Sequence, residues 1–326
     1  MKHTTSSRRS VLAAGLLAAL TFQSPAQAQD FPNKPIKWVV PYAAGTAPDQ
    51  TVRIVADAMV EVLKQPIVIE NRPGAAGNIG AQAVAKAAPD GYTWVYSGSP
   101  MSTNMRMYKQ PGFDVMKDFI HVGRIGLSEL VVVTSPQSGI GSMKDLVAQA
   151  KKNPGKLSYA TGGVGSPAHM AGALVMSVAG ADALHVPFKG ANESTQAVIG
   201  RQVDYALALS TVVIPHIQSG RLLALAVSGK TRLPALPNVP TLMESGINTS
   251  VTSFGGLSVP AGTPAPIVAR ISDALQKAMH NPKAKERMDG LGGQFTPGNS
   301  AELTEAFRQE IPLTEAMMRA AKLEAQ

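Results

Sequence analysis

Three stretches of this chain join a turn of small residues to a helix start, a combination that binds anions. The first reads Trp38-Val39-Val40-Pro41-Tyr42-Ala43-Ala44-Gly45-Thr46-Ala47-Pro48-Asp49. It is an apolar strand that breaks and opens a helix with Val52, Val55, Met59, Val62 and Leu63 on one face. Thr46 and Asp49 have capping-box spacing, and Pro48 falls in the first turn, where a missing N–H costs nothing. A helix start leaves several N–H groups unpaired and carries a partial positive charge. With only Ala, Gly and Thr in the turn, the backbone can approach a bound anion closely, and such a site holds a carboxylate without a cationic side chain. Asn78 opens a second such start after Gly74-Ala75-Ala76-Gly77. Ser166, followed by Pro167, caps a third after the glycine-rich run beginning at residue 162. The repetition points to a small anionic ligand.

Other polar residues could add to such a site. His169 lies in the first turn of its helix, where the positive helix end favours a neutral ring able to give one hydrogen bond. Ser97 and Ser99 sit at a strand end, where open α/β sheets bind ligands. Glu193, near Lys189, is a carboxylate beside a site for anions, so it either meets a ligand amine or hydroxyl or stays outside. Asp204 reads as a structural strand or turn residue. Enzyme motifs fail one by one. Gly229-Lys230-Thr231 imitates the end of a P-loop, but Ala224 stands where the first glycine belongs. The glycine run beginning at residue 162 lacks dinucleotide spacing, and neither a Gly-x-Ser-x-Gly elbow nor a His-Glu-x-x-His is present. A hydrolase built on Ser97 or Ser99 with His169 has no third member in view. His121, His185, His216 and His280 show no metal-ligand spacing, so neither a metal nor a cofactor is expected.

The elements that position these residues alternate strand and helix along the chain, which predicts an α/β fold with largely parallel sheets. The first 28 residues stand apart. Lys2, Arg8 and Arg9 precede an apolar run from Val11 to Leu20 and a cleavage site at Ala26-Gln27-Ala28, the layout of a secretory signal peptide. Ser7-Arg8-Arg9-Ser10-Val11-Leu12 also fits a twin-arginine export signal. Cleavage there takes the formal charge from +8 to +5, a mild excess without a basic cluster. Nucleic-acid binding is not expected, whereas an anionic ligand is. The absence of cysteine excludes disulfides, thiolate metal sites and a lipid-modified cysteine anchor. Phe119 to Ile125 and Leu130 to Thr134 read as strands with Gly126 between them as a first crossing, and Thr249 to Val259 as the return. The division predicted is a domain of residues 29–126 plus 250–326, and an inserted domain of 127–249, with a hinged cleft between them.

Several segments resemble the Bug family, the periplasmic solute-binding proteins of tripartite tricarboxylate transporters. They are Pro35 to Gly45, Glu70-Asn71-Arg72-Pro73-Gly74-Ala75-Ala76-Gly77-Asn78-Ile79-Gly80, Ala88-Pro89-Asp90-Gly91-Tyr92, Pro154 to Ala160, His185-Val186-Pro187-Phe188-Lys189-Gly190 and Leu236 to Thr241. The resemblance implies a two-lobed Venus-flytrap fold in the periplasm, a small carboxylic acid in the cleft, and integral-membrane transporter subunits as partners. It places the anchoring carboxylate on Tyr42 to Thr46 and second-lobe contacts on Thr161, Gly162, Gly165, Ser166 and His169. Phe188, Asn192 and Glu193 complete the expected contacts, and a monomer is expected. Two departures stand out: the run Gly45-Thr46-Ala47 where many relatives have a second glycine and then a hydroxyl residue, and Asn192 and Glu193 where many have small or apolar residues. The acid stays open among dicarboxylates, tricarboxylates, amino acids, nicotinate-like and aromatic acids. A receptor that reports to a sensor remains the alternative to transport.

Overall fold

The computed structural model describes residues 31–291, 293 and 295–325. The expected export signal lies outside the described residues. In the first lobe, β1 (Ile36–Val40) lies between two parallel neighbours, β2 (Ile67–Asn71) and β3 (Thr93–Gly98). Four of the five β1 residues are buried and apolar, with only Lys37 exposed, as suits a central parallel strand covered on both faces. Helix α1 (Ala47–Leu63) covers one face, where Val52, Val55 and Met59 meet an edge-to-face pair of Trp38 and Trp94. Helices α2 (Asn78–Ala85) and α3 (Ser99–Met107) follow on the other side.

The next strand departs from expectation. Instead of two strands broken at Gly126, β4 runs unbroken from Phe119 to Thr134. The glycines are absorbed as irregularities at His121/Gly123 and Arg124/Gly126, where the register slips against the antiparallel strand β9 (Thr252–Pro260). Pairing with β9 lasts through Glu129, and from Leu130 onward the same strand pairs with β7 (Tyr205–Leu209) and β8 (Leu223–Val227) of the second lobe. The return is equally abrupt: Val251 donates to Ser228 in the second lobe, and Thr252 pairs with Glu129 in the first. A two-stranded ribbon of β4 and β9 thus joins the lobes.

In the second lobe, β5 (Ser158–Thr161) lies parallel to β6 (Leu184–Pro187) and β7. Helices α4 (Met143–Lys152), α5 (Pro167–Val178), α6 (Ala191–Ile199) and α7 (Ser210–Gln218) flank this sheet. Its core gathers Leu146, Tyr159, Met170, Val175, Tyr205 and Leu207. The chain closes with α8 (Ala265–Met279), α9 (Pro282–Gly290) and α10 (Ser300–Ala320). In α8 the apolar residues Ile271, Leu275 and Met279 recur on one face and are buried.

Helix α10 serves both lobes. Leu303 and Phe307 pack into the first, whereas Met317 and Met318 belong to the core of the second, with Pro312 inside the helix between them. The 250–326 tail is therefore shared rather than confined to the first lobe. Glu310, on this helix, is buried without an ion pair among the described residues, and desolvation pushes its carboxyl up to about 7. A raised carboxyl pKa gives stability that is complete below the unfolded value near 4.5 and lost as pH rises through 7. Glu310→Gln is expected to be more stable than the parent at pH 8 by up to about 3 kcal/mol, and little changed at pH 4.5, in urea melts at both pH values. His121 acts in the opposite sense: burial lowers its imidazole to about 4, so its contribution falls as pH drops from 6.5 to 4. The two slopes offset in the parent protein, and the variant uncovers that of His121.

Candidate functional site

Three helix starts, those of α1, α5 and α6, share one local device. At each, the third helical residue reaches back to the amide one residue before the N-cap. Asp49 Oδ2 accepts from the Gly45 N–H at 2.8 Å, His169 Nδ1 from Gly165 at 3.1 Å, and Glu193 Oε2 from Lys189 at 3.0 Å. The capping box expected of Thr46 and Asp49 is thus displaced by one residue, and the Thr46 hydroxyl donates instead to Ala43 O at 2.7 Å. Each turn is locked by its own helix, while other amides stay free. Among the described residues, the amides of Ala43 and Ala44 in the first lobe and of Gly162, Val164 and Gly190 in the second donate to no protein acceptor.

In the first lobe the lock centres on Asp49, which is 2% exposed. Its carboxylate takes hydrogen bonds from Arg53 at 3.0 and 3.1 Å and from Asn71 Nδ2 at 2.9 Å, and Asn71 also holds the Tyr42 carbonyl at 3.1 Å. Burial pushes the Asp49 carboxyl up, but the bonds from Arg53, the Gly45 amide and Asn71 outweigh it and hold the group below the usual carboxylate range. The second helix start presses on the same turn: a Cβ added at Gly80 would come within 2.9 Å of both Arg72 O and Pro41 Cβ, so only glycine fits. Asn78 is turned inward, its Oδ1 accepting from Asn104 Nδ2 at 2.6 Å, and Asn104 also holds Ala76 O.

The serines at the end of β3 serve the sheet. Ser97 is fully buried, its hydroxyl 2.6 Å from that of Ser258, which in turn meets His121 Nδ1 at 2.8 Å. Ser99 Oγ accepts from the Phe254 amide at 3.0 Å. Neither hydroxyl stands open to a substrate, and Ser97 has no exposed surface from which to act as a nucleophile.

In the second lobe, Phe188 N–H donates to Thr161 O at 2.9 Å and brings the two glycine-bearing loops together. A Cβ on Gly162 would lie 3.2 Å from the Ala191 nitrogen, and one on Gly163 3.6 Å from Phe188 O. The Thr161 hydroxyl is 2.6 Å from His185 Nε2, and the Phe188 ring packs on the lobe's core. Ser166 caps α5 as expected, its hydroxyl accepting from the His169 amide at 3.2 Å. The His169 ring is 6% exposed and stacked on His185 at 3.8 Å, against the sheet. Because its Nδ1 accepts from Gly165, the neutral ring carries its proton on Nε2. Desolvation lowers both imidazoles, His185 to about 4 with His169 beside it, so both remain neutral at pH 7. Asp204 is structural, binding the amide and hydroxyl of Ser158. Asn192 and Glu193 are exposed at the start of α6.

The second-lobe loop approaches the C-terminal end of α3: a Cβ on Gly165 would stand 3.0 Å from the methyl of Met107, the last residue of that helix. A family model described as the tripartite tricarboxylate transporter family receptor matches residues 51–322. The chain belongs to this family. Among its relatives is protein BugT of Bordetella pertussis, 32% identical over 279 residues that cover 85% of this chain and 86% of BugT. The solved periplasmic binding protein BugD is 32% identical, with a TM-score of 0.71 over 91% of this chain and all of that one. MatC from Rhodopseudomonas palustris, solved with bound malate, is 28% identical, with a TM-score of 0.70 over 88% of this chain and all of that one. The expected two-lobed fold is the one these binding proteins have, and the tripartite tricarboxylate family is one of receptors rather than enzymes.

The sequence marks these turns as candidates but not every free amide in them. Val164, whose amide is free and whose side chain is 67% exposed, lay unremarked between two glycines, and Gly190 was read only as part of a motif. Asp49 stands beside the first turn in the sequence, but Asn71 reaches it only through the pairing of β1 with β2.

Proposed function

We propose that this receptor is exported to the periplasm, captures a small carboxylic acid between its lobes and delivers it to integral-membrane transporter subunits. The observation that carries the reading is the set of free amides, Ala43 and Ala44 on one lobe and Gly162 and Val164 on the other, held in turns already locked by their own helices. Such donors are preorganised: no cationic side chain has to be ordered on binding, and the adjoining helix ends favour negative charge. The malate bound by MatC fits the same chemistry. The ribbon of β4 and β9 supplies the hinge, and contacts made only when both lobes touch the acid drive closure.

A thermal-shift screen of residues 29–326 against carboxylic acids and their primary amides tests this reading. A ligand at 100 times its dissociation constant adds about 2.7 kcal/mol of stability. The expected result is a rise in Tm with at least one acid and none with its amide. No rise with any acid, or equal rises for acid and amide, contradicts the reading.

A further inference from the structure

The helix starts of α1, α5 and α6 are locked alike but differ in charge. At α1 the locking carboxylate, Asp49, is balanced by Arg53 at 3.0 Å. At α5 the lock is His169, a neutral ring. At α6 it is Glu193, which forms no ion pair among the described residues. We propose that Glu193 is a specificity-determining residue that turns this receptor away from diacids and toward monocarboxylates ending in a hydrogen-bond donor, an amine or hydroxyl. The proposal rests on the carboxylate-capture reading above.

Three observations support it. The loop carrying Glu193 is joined to the glycine loop of the same lobe through the Phe188–Thr161 hydrogen bond and the close approach of Gly162 to Ala191. Glu193 spends Oε2 on the Lys189 amide, leaving Oε1 to accept from a ligand. Its charge also offsets the positive end of α6, the potential a second ligand carboxylate would otherwise use. Lys189 is the opposing group. Glu193 holds its backbone amide rather than its ammonium, and that ammonium is unpaired among the described residues, so its pull on a diacid needs its own control.

Calorimetric titration of residues 29–326 with acids matched in length tests the proposal: succinate, 4-aminobutanoate and 4-hydroxybutanoate, then adipate, 6-aminohexanoate and 6-hydroxyhexanoate. The parent protein is expected to bind at least one donor-ended acid tenfold or more tighter than its matched diacid. Glu193→Gln keeps an acceptor oxygen for the Lys189 amide and removes only the charge, with folding checked by circular dichroism. It is expected to shrink the amine-to-diacid ratio at least tenfold, while Lys189→Gln leaves the preference for donor-ended acids in place. A tighter diacid in the parent, or a ratio unchanged by Glu193→Gln, overturns the proposal while leaving carboxylate capture standing. Binding of no acid by parent or variant overturns both.

Discussion

Asp49→Ala is expected to lower the unfolding free energy by about 2–4 kcal/mol and to weaken acid binding at least tenfold. The carboxylate is almost fully buried and bonds Gly45, Arg53 and Asn71 together, and Asn71 carries the Tyr42 carbonyl. Its removal leaves Asn71 short of an acceptor and frees the turn that aims the Ala43 and Ala44 amides. Hydrogen bonds to charged groups contribute roughly 1.5–3 kcal/mol each, and partial rehydration of the site offsets some of that loss. Arg53→Ala is expected to cost less in stability, because about half of that side chain already faces water. The carboxyl is held below its ordinary range, so its stabilising share is present above the unfolded carboxylate pKa and disappears as pH falls through the lower folded value. Urea melts and calorimetry on the two variants check this, and equal losses from both would show that Asp49 does not act through the buried network.

Gly162→Val is expected to reduce affinity a hundredfold or more while costing the fold about 1–3 kcal/mol. Gly162 needs space rather than an unusual backbone: its added Cβ would sit 3.2 Å from the Ala191 nitrogen and 3.3 Å from the Gly190 carbonyl carbon. A branched side chain forces the two second-lobe loops apart and carries the Gly162, Val164 and Gly190 amides away from a common ligand. Gly45 offers the contrast. Its φ of +81° makes any substitution strained, by roughly 1 kcal/mol, yet an added Cβ meets nothing within 4 Å. Gly45→Ala is therefore expected to leave most of the affinity intact. Similar affinities for the Gly162 and Gly45 variants would place the ligand away from the second-lobe loops.

The parts of the site that were legible in the sequence are those written in local chemistry. Small residues before Pro48, Asn78 and Ser166–Pro167 each mark a helix start, and all three helices begin there. The parts that were not legible depend on partners distant in the chain. Gly126 reads as a break, but pairing with Gly255 makes it a bulged point in a continuous strand. The segment Ser99–Met107 lacks an apolar stripe and becomes a helix through Pro100 in its first turn and the packing of α10 upon it. Nothing local in α10 says that its two ends lie in different cores. His169 was expected to face the ligand, whereas its ring lies on His185 and its Nδ1 reaches the loop amide of Gly165. That places the His169 side chain behind the loop, holding it.

The proposed anchor for the ligand's carboxylate is a set of free amides rather than side-chain cations. Its most direct test is the amide proton shifts of 15N-labelled residues 29–326 during titration with an acid that raises the Tm. Downfield shifts are expected at Ala43, Ala44, Gly162 and Val164, with smaller changes at Gly45, Gly165 and Lys189, whose protons already meet Asp49, His169 and Glu193. Saturable binding that leaves those four amides unmoved, or that moves chiefly the three already bonded, would contradict it.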